Sequence, residues 1–377
     1  MRIGIIGAGI AGLVAACSLQ SNGHEVVVYE QRPAPNVDGA GLTLFGNAFA
    51  ALDSVGLGDT IRNITHQGLA RLTTGQRTPK GRWLAKMPSE TVGQLHSVHR
   101  VTLHNTLMQL LAPGTVRTGM QALAAADGTP RIHVGYQTVM FDLVVVADGL
   151  RSTNRSRLGL DTGIEYSGYT AWRGVTSDPV DIAGTAAETW GQGSIFGYVP
   201  LPDERLYWFG TRNQPADTTI DDEVQAVRDT FAEWHAPIQD CLEATKPTEL
   251  MRHDVYDLAK PLKTFTKSRT VLMGDAAHAM LPNLGQGAGQ GIEDAVTLTL
   301  LLGAAPPRDL GTILARYSTM RRSRTTRLWR QSRLMAGVAQ AAGPVAVRLR
   351  NVGLRVTPAG VIGPVTKRLH HWEPPTA

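Results

Sequence analysis

The chain has 377 residues, 42% of them apolar and 18% charged, which excludes a disordered polypeptide and suggests two domains of ordinary size. No apolar run reaches the roughly 20 residues that a membrane-spanning helix needs. The net charge of +5 is uneven: residues 316–377 hold eleven Arg and one Lys against the single acid Glu373, so the preceding body is net negative.

In chain order, Arg2–Ile6 is a short apolar run of the kind that forms buried parallel strands. It follows the first Met directly, so no signal peptide is expected. With only two cysteines, Cys17 and Cys241, far apart in sequence, the expectation is a cytoplasmic protein with reduced thiols, no disulfide scaffold and no metal site. Gly7-Ala8-Gly9-Ile10-Ala11-Gly12 comes next, then a helix with Leu13, Val14, Ala16, Cys17 and Leu19 on its apolar side, stopping at Asn22-Gly23. Residues 25–30 form a second strand, completing a β–α–β unit. A helix is expected over 47–55 and another after Arg100, with Leu103, Leu107, Leu110 and Leu111 at core spacing. A buried strand over 142–146 ends in Asp148-Gly149.

Between residues 166 and 212 the pattern changes to short, alternating, aromatic-rich strands at 170–175, 188–190, 195–199 and 206–211, as in an antiparallel sheet. A helix over 221–234 follows. A buried strand returns at 269–274, ahead of Asp275, a Gly-rich stretch and a helix over 290–302. In the basic C-terminal part, Arg321, Arg322, Arg324, Arg327, Arg330 and Arg333 read as the solvated face of a helix. No interleaved aromatics support a nucleic-acid surface there.

The glycines carry the first chemistry. In a G-x-G-x-x-G turn between strand and helix, the first Gly (Gly7) makes the bend and the second (Gly9) lets a pyrophosphate reach backbone amides. The third (Gly12) lets helix and strand pack closely. Glu30, at the end of the next strand, suits a ribose hydroxyl, so the unit is expected to bind an adenine dinucleotide. The fold class is therefore α/β, a discontinuous Rossmann-like domain with an inserted antiparallel-sheet substrate domain and C-terminal helices. The expected bounds are 1–70 with 99–160 and 264–320, then 71–98 with 161–263, then a basic helical segment over 321–377.

Three motifs, Gly7–Gly12 with Glu30, Asp148-Gly149 with Ser152 and Arg155, and Gly274-Asp275-Ala276-Ala277-His278 with Pro282 and Gly285-Gln286-Gly287, together resemble one family. The chain is similar to group A FAD-dependent monooxygenases, the p-hydroxybenzoate-hydroxylase-like and salicylate-hydroxylase-like enzymes. Residues 168–174 and Arg100 share in the resemblance, which extends to about residue 330. It implies bound FAD, NAD(P)H as a transient co-substrate, and hydroxylation of an aromatic or other electron-rich molecule through a flavin C4a-hydroperoxide. It also implies a FAD-contacting set: Gly7, Gly9, Ile10, Ala11, Gly12, Glu30, Gln31, Arg32, Gly41, Leu42, Arg100 and Asp148 on one side, Asp275, Pro282, Gly285, Gln286, Gly287 and Ala288 on the other. Asp275 would meet the ribityl chain, and Pro282 the position where oxygen attaches.

No second G-x-G-x-x-G and no C-x-x-C appears, which argues against disulfide reductases and two-dinucleotide monooxygenases. Epoxidation on the same fold, or flavin binding for regulation without turnover, are the alternatives. On the strand at 206–211, Tyr207 and Phe209 share one face and Leu206 and Trp208 the other, and either face can be the inner one. Tyr207 is the candidate for moving a substrate proton, with Phe209 and Arg173 as substrate contacts. For Arg173, an ion pair within the fold is the competing role. Expected partners are a small-molecule substrate, NAD(P)H and dioxygen, without nucleic acid or a membrane span, in a monomer or homodimer.

Overall fold

The N-terminal unit forms as strand Arg2–Ile6, helix Ile10–Ser21 and strand Glu25–Tyr29. It belongs to a computed structural model that describes residues 1–34, 40–87, 94–303, 309–357 and 369–375. Arg2–Ile6 lies near the middle of a six-stranded sheet, between Glu25–Tyr29 and Leu143–Val146, with Thr270–Leu272 beyond the latter, all parallel. These strands are buried on both faces, which is why they read as unbroken apolar runs. Helix Ile10–Ser21 lies against helix Gly287–Leu302, and the approach is close because small residues meet. A Cβ on Gly291 would stand 3.0 Å from that of Ala11, and the Ser18 and Thr299 hydroxyls are hydrogen-bonded at 2.9 Å.

A seven-stranded sheet carries the aromatic strands in the order Met251–Leu258, Ile164–Val175, Leu206–Asn213, Ser194–Pro200, Thr185–Trp190, Thr73–Arg77 and Trp83–Lys86. Its pairs are antiparallel except for Thr185–Trp190 with Thr73–Arg77. One face is covered by helices Glu223–Phe231 and Ile238–Glu243, with Trp172, Phe196, Leu206 and Trp208 buried beneath them. The Phe196 and Trp208 rings stack at 5.2 Å. This settles the question that alternation left open: Leu206 and Trp208 face the helices, so Tyr207 and Phe209 face the other way.

Two features were not expected. Ala122–Ala124, Arg131–Val134 and Gln137–Met140 form a separate three-stranded sheet, and Gly41–Leu44 pairs with His96–His99. All are three or four residues long, too short to offer a periodicity to detect. Helix Leu310–Ala339 runs through residue 321 without interruption, and part of its arginine face is held by protein partners.

That is the main correction to the solvated-face expectation. Arg321 is 2% exposed and lies between two acids of helix Gly287–Leu302. Its Nε donates to Asp294 at 2.5 Å, its Nη1 to Glu293 at 2.5 Å and its Nη2 to the Gln290 side chain at 2.8 Å. Arg324 adds a bidentate pair to Glu293 at 2.7 and 2.8 Å. Arg333 grips Asp257 and Glu165. Arg350, on the closing helix Pro344–Val356, donates to the carbonyls of Ala339 and Gly191, both at 2.9 Å. Only Arg322, Arg327 and Arg330 of the expected face are exposed. Among the described residues no helix is long and apolar enough to cross a membrane.

Burial by itself would raise the Asp294 and Glu293 carboxyls. The charges of His278 and Arg321 on Asp294, and of Arg321 and Arg324 on Glu293, outweigh it and hold both below the ordinary carboxylate range. Folded values below unfolded ones mean that this stabilisation is full above the ordinary carboxylate pKa and is lost as pH falls through the folded values. Arg321→Ala leaves two buried acids short of their partner and should cost about 3–5 kcal/mol in denaturant unfolding near neutral pH. The deficit relative to wild type should shrink in acid, and a deficit that is constant with pH would contradict the assignment.

Candidate functional site

The uncovered face of the seven-stranded sheet and the carboxyl ends of the parallel strands enclose a cavity of about 1660 Å³. A smaller one, of about 230 Å³, lies beside Glu30 and Asp148. Gly9, Ile10, Arg100 and Gly149 line both, so the two spaces meet at the glycine turn.

The three glycines perform three different tasks. Gly7 has φ +104°, and a side chain there would collide with the Ala147 carbonyl. Gly12 is packed so tightly that a Cβ would collide with the Gly7 carbonyl oxygen. Gly9 has no protein atom within 4 Å of where its Cβ would stand, and so leaves the helix start open to a ligand. Glu30 is oriented by the Ala8 and Arg32 amides, each donating at 2.9 Å, and lines the smaller space with Gln31 and Arg32. Asp148 accepts from the Asn154 side chain at 2.8 Å through one oxygen, while its other oxygen is buried without a partner beside the same space.

On the larger cavity, Ile10, Ala11, Gly41, Leu42, Asp275, Pro282, Gly285, Gly287 and Ala288 line the end nearest the glycine turn. Asp275 opens the four-residue helix Asp275–His278, is exposed to this space and makes no hydrogen bond with the described residues. The loop that follows requires Gly285 at φ +63°, against the Phe45 ring. Helix Gly287–Leu302 begins three residues earlier than the expected Gln290. Its first closing bond runs from the Gln290 amide to the Gln286 carbonyl, so the amides of Gly287 and Ala288, which line the cavity, are left free there, where the helix dipole favours negative charge. Two residues of the expected set do not reach the cavity. The Gln286 side chain is turned inward, accepting from Asn47 at 2.9 Å, and Gly12 is a packing position.

Another wall of the cavity is formed by the sheet. Tyr207 is buried against Gly41, and its hydroxyl accepts from Arg173 Nη1 at 2.9 Å. Arg173 has no carboxylate partner among the described residues, so the competing ion pair is not formed. Phe209 lies over Gly197, where a Cβ would come 2.5 Å from the ring. His278, for its part, bonds Asp294 at 2.5 Å beneath the cavity and does not face it. Glu188 also lines the wall and was missed from sequence; the signal was an acid inside the apolar strand Thr185–Trp190. Burial raises its carboxyl despite a hydrogen bond from Trp190 Nε1 at 2.8 Å.

FAD fits this arrangement on its chemistry. Glu30 offers acceptors for a ribose, and Gly9 and Arg100 a place for the pyrophosphate. Asp275 offers an unpaired acceptor for a polyol, and the start of helix Gly287–Leu302 offers donors for an electron-rich ring. A model described as a FAD binding domain matches residues 1–332. The chain is 31% identical to the aurachin C monooxygenase/isomerase of Stigmatella aurantiaca, over 98% of both proteins. It is 30% identical to the 2-heptyl-3-hydroxy-4(1H)-quinolone synthase of Pseudomonas aeruginosa, over 95% of this chain and 94% of that one. In fold it superposes on Klebsiella pneumoniae HpxO, solved with FAD and uric acid, with a TM-score of 0.88 at 24% identity, covering 98% of this chain and 96% of that one. The chain belongs to the FAD-dependent group A monooxygenase family.

Replacing Asp275 by Ala removes a carboxylate that faces the cavity and makes no hydrogen bond among the described residues, the residue that would accept from a ribityl chain. Titration of apoprotein with FAD should show a loss of about 1.5–3 kcal/mol, roughly ten- to hundredfold in Kd. Unchanged affinity would reduce Asp275 to a helix-start residue.

Proposed function

We propose that this enzyme uses NAD(P)H and dioxygen to hydroxylate an aromatic or similarly electron-rich small molecule held between the seven-stranded sheet and the FAD loops. The observation that carries this is the Arg173–Tyr207 pair, an uncompensated cation bonded to a phenol in a largely apolar cavity continuous with the cofactor end. FAD, when bound, supplies the reducing equivalents taken from NAD(P)H and the activated oxygen atom. The names of the two relatives, a monooxygenase and the synthase of a hydroxylated quinolone, support the same class of reaction.

The chain's own residues do the rest. Because Arg173 donates to the Tyr207 oxygen, the Tyr207 hydrogen is left to bond a substrate oxygen and to share its proton as the ring is attacked. Arg173 favours negative charge on that oxygen, which makes the ring a better nucleophile. Phe209, Met251, Ile195 and Leu354 line the same space and keep water from the reacting atoms. Asp275 and Arg100 would hold the cofactor, and the free amides of Gly287 and Ala288 would favour negative charge on its ring. Pro282, rigid at the start of the short turn Pro282–Leu284, shapes the cavity wall beside them.

A true substrate should accelerate NAD(P)H oxidation and acquire one atom of isotopically labelled dioxygen. Tyr207→Phe should lower product formed per NAD(P)H consumed, with hydrogen peroxide making up the difference. Label absent from the product of every stimulating compound would overturn the proposed reaction, and intact coupling in Tyr207→Phe would overturn only the role of that residue.

A further inference from the structure

The registers of four neighbouring strands place one row of residues across the cavity wall. Arg173 is paired with Phe209, Phe209 with Gly197, and Gly197 with Glu188. Directly paired residues project to the same face of a sheet, and all four line the cavity. Three strand spacings of roughly 4.8 Å separate the ends of the row, about 14 Å between the Cα atoms of Arg173 and Glu188. The floor between them is an aromatic ring lying over a glycine. On the far side of Glu188 its register partner is Gln76, also at the cavity wall.

Glu188 is under-supplied with donors. A carboxylate has about four acceptor sites, and among the described residues the only hydrogen bond to this one comes from Trp190 Nε1. Among the described residues no cation forms an ion pair with it, and it lines the cavity. A half-buried acid left in this state is costly unless a ligand or solvent brings the missing donor. The row therefore has a cationic donor end at Arg173 and Tyr207 and an acceptor end at Glu188, with a flat apolar surface between.

We propose that Glu188 is a second polar anchor for the substrate, accepting a hydrogen bond from a ring N–H while the oxygen of the same molecule faces Arg173 and Tyr207. The substrate class is a planar nitrogen heteroarene with a carbonyl or hydroxyl at one end and an N–H at the other. This rests on the proposed hydroxylation of a substrate at the same wall, and it assigns Glu188 to recognition, with no part in activating oxygen.

The test uses the FAD-loaded protein and two probes of nearly equal size, 4-quinolone, which carries the N–H, and 1-naphthol, which lacks it. Binding is read from the perturbation of the flavin absorption band. Wild type should bind 4-quinolone more tightly than 1-naphthol. Glu188→Leu should weaken 4-quinolone by about ten- to hundredfold and leave 1-naphthol within about twofold. Glu188→Gln keeps an acceptor oxygen and should retain most of the discrimination, and it serves as the readout if the Leu variant does not fold. Equal affinity of wild type for the two probes, binding of neither, or equal weakening of both in Glu188→Leu would each overturn the anchor. Discrimination through Glu188 without transfer of labelled oxygen to any heteroarene would instead contradict the proposed reaction and leave the anchor standing.

Discussion

The cofactor end of this protein is held together by a buried cluster of charges that does not itself touch the cavity. Asp294 accepts from the Gly274 amide at 2.8 Å and from His278, fixing the strand end that presents Asp275. Glu293, its neighbour, accepts from Asn47 at 2.6 Å, and Asn47 in turn supports Gln286 in the loop ahead of helix Gly287–Leu302. Arg321 and Arg324 reach in from the long C-terminal helix to balance both acids. Four segments distant in sequence thus meet through one ionic knot. Such a knot is expensive to desolvate and gives modest net stability. Its value here is geometric, since it sets where Asp275 and the free helix amides stand relative to the glycine turn.

Around that fixed end the cavity combines two demands that usually conflict. It must be apolar enough to exclude water from an oxygen-transfer site, yet polar enough to orient a substrate and accept charge. The seven-stranded sheet meets both by alternation. Its outer face buries Trp172, Phe196 and Trp208 under helices, which stiffens the wall, while the inner face sets Arg173 and Glu188 at the two ends of a row with Phe209 and Gly197 between them. The closing helix adds Leu354 to this wall and is pinned there by Arg350 on backbone carbonyls.

The parts legible in the sequence are those whose cause is local. Gly7, Gly9 and Gly12 act within six residues, so their spacing reports their function before any tertiary contact exists. The strands 143–146 and 270–272 were visible because burial on both faces makes them uniformly apolar. Arg321 was misread because its charge partners lie 27 and 28 residues earlier, on another helix, and counting charges cannot distinguish a solvated arginine from one that neutralises buried acids. Tyr207 was named without knowing its direction, since strict alternation gives two equivalent faces until the helices covering Trp208 are placed. Glu188 escaped notice for the complementary reason. Its significance comes from having a single donor, Trp190, among the described residues, and the sequence does not record an absence of neighbours.

The measurement that bears most directly on this account is the affinity of apoprotein Arg321→Met for FAD, taken at a temperature where its far-ultraviolet circular dichroism matches wild type. Residue 321 lines neither cavity. If the ionic knot positions Asp275 and the start of helix Gly287–Leu302, the folded variant should bind FAD at least about tenfold more weakly, a loss near 1.4 kcal/mol. A folded variant with wild-type FAD affinity would show that the knot stabilises the chain without shaping its cofactor site.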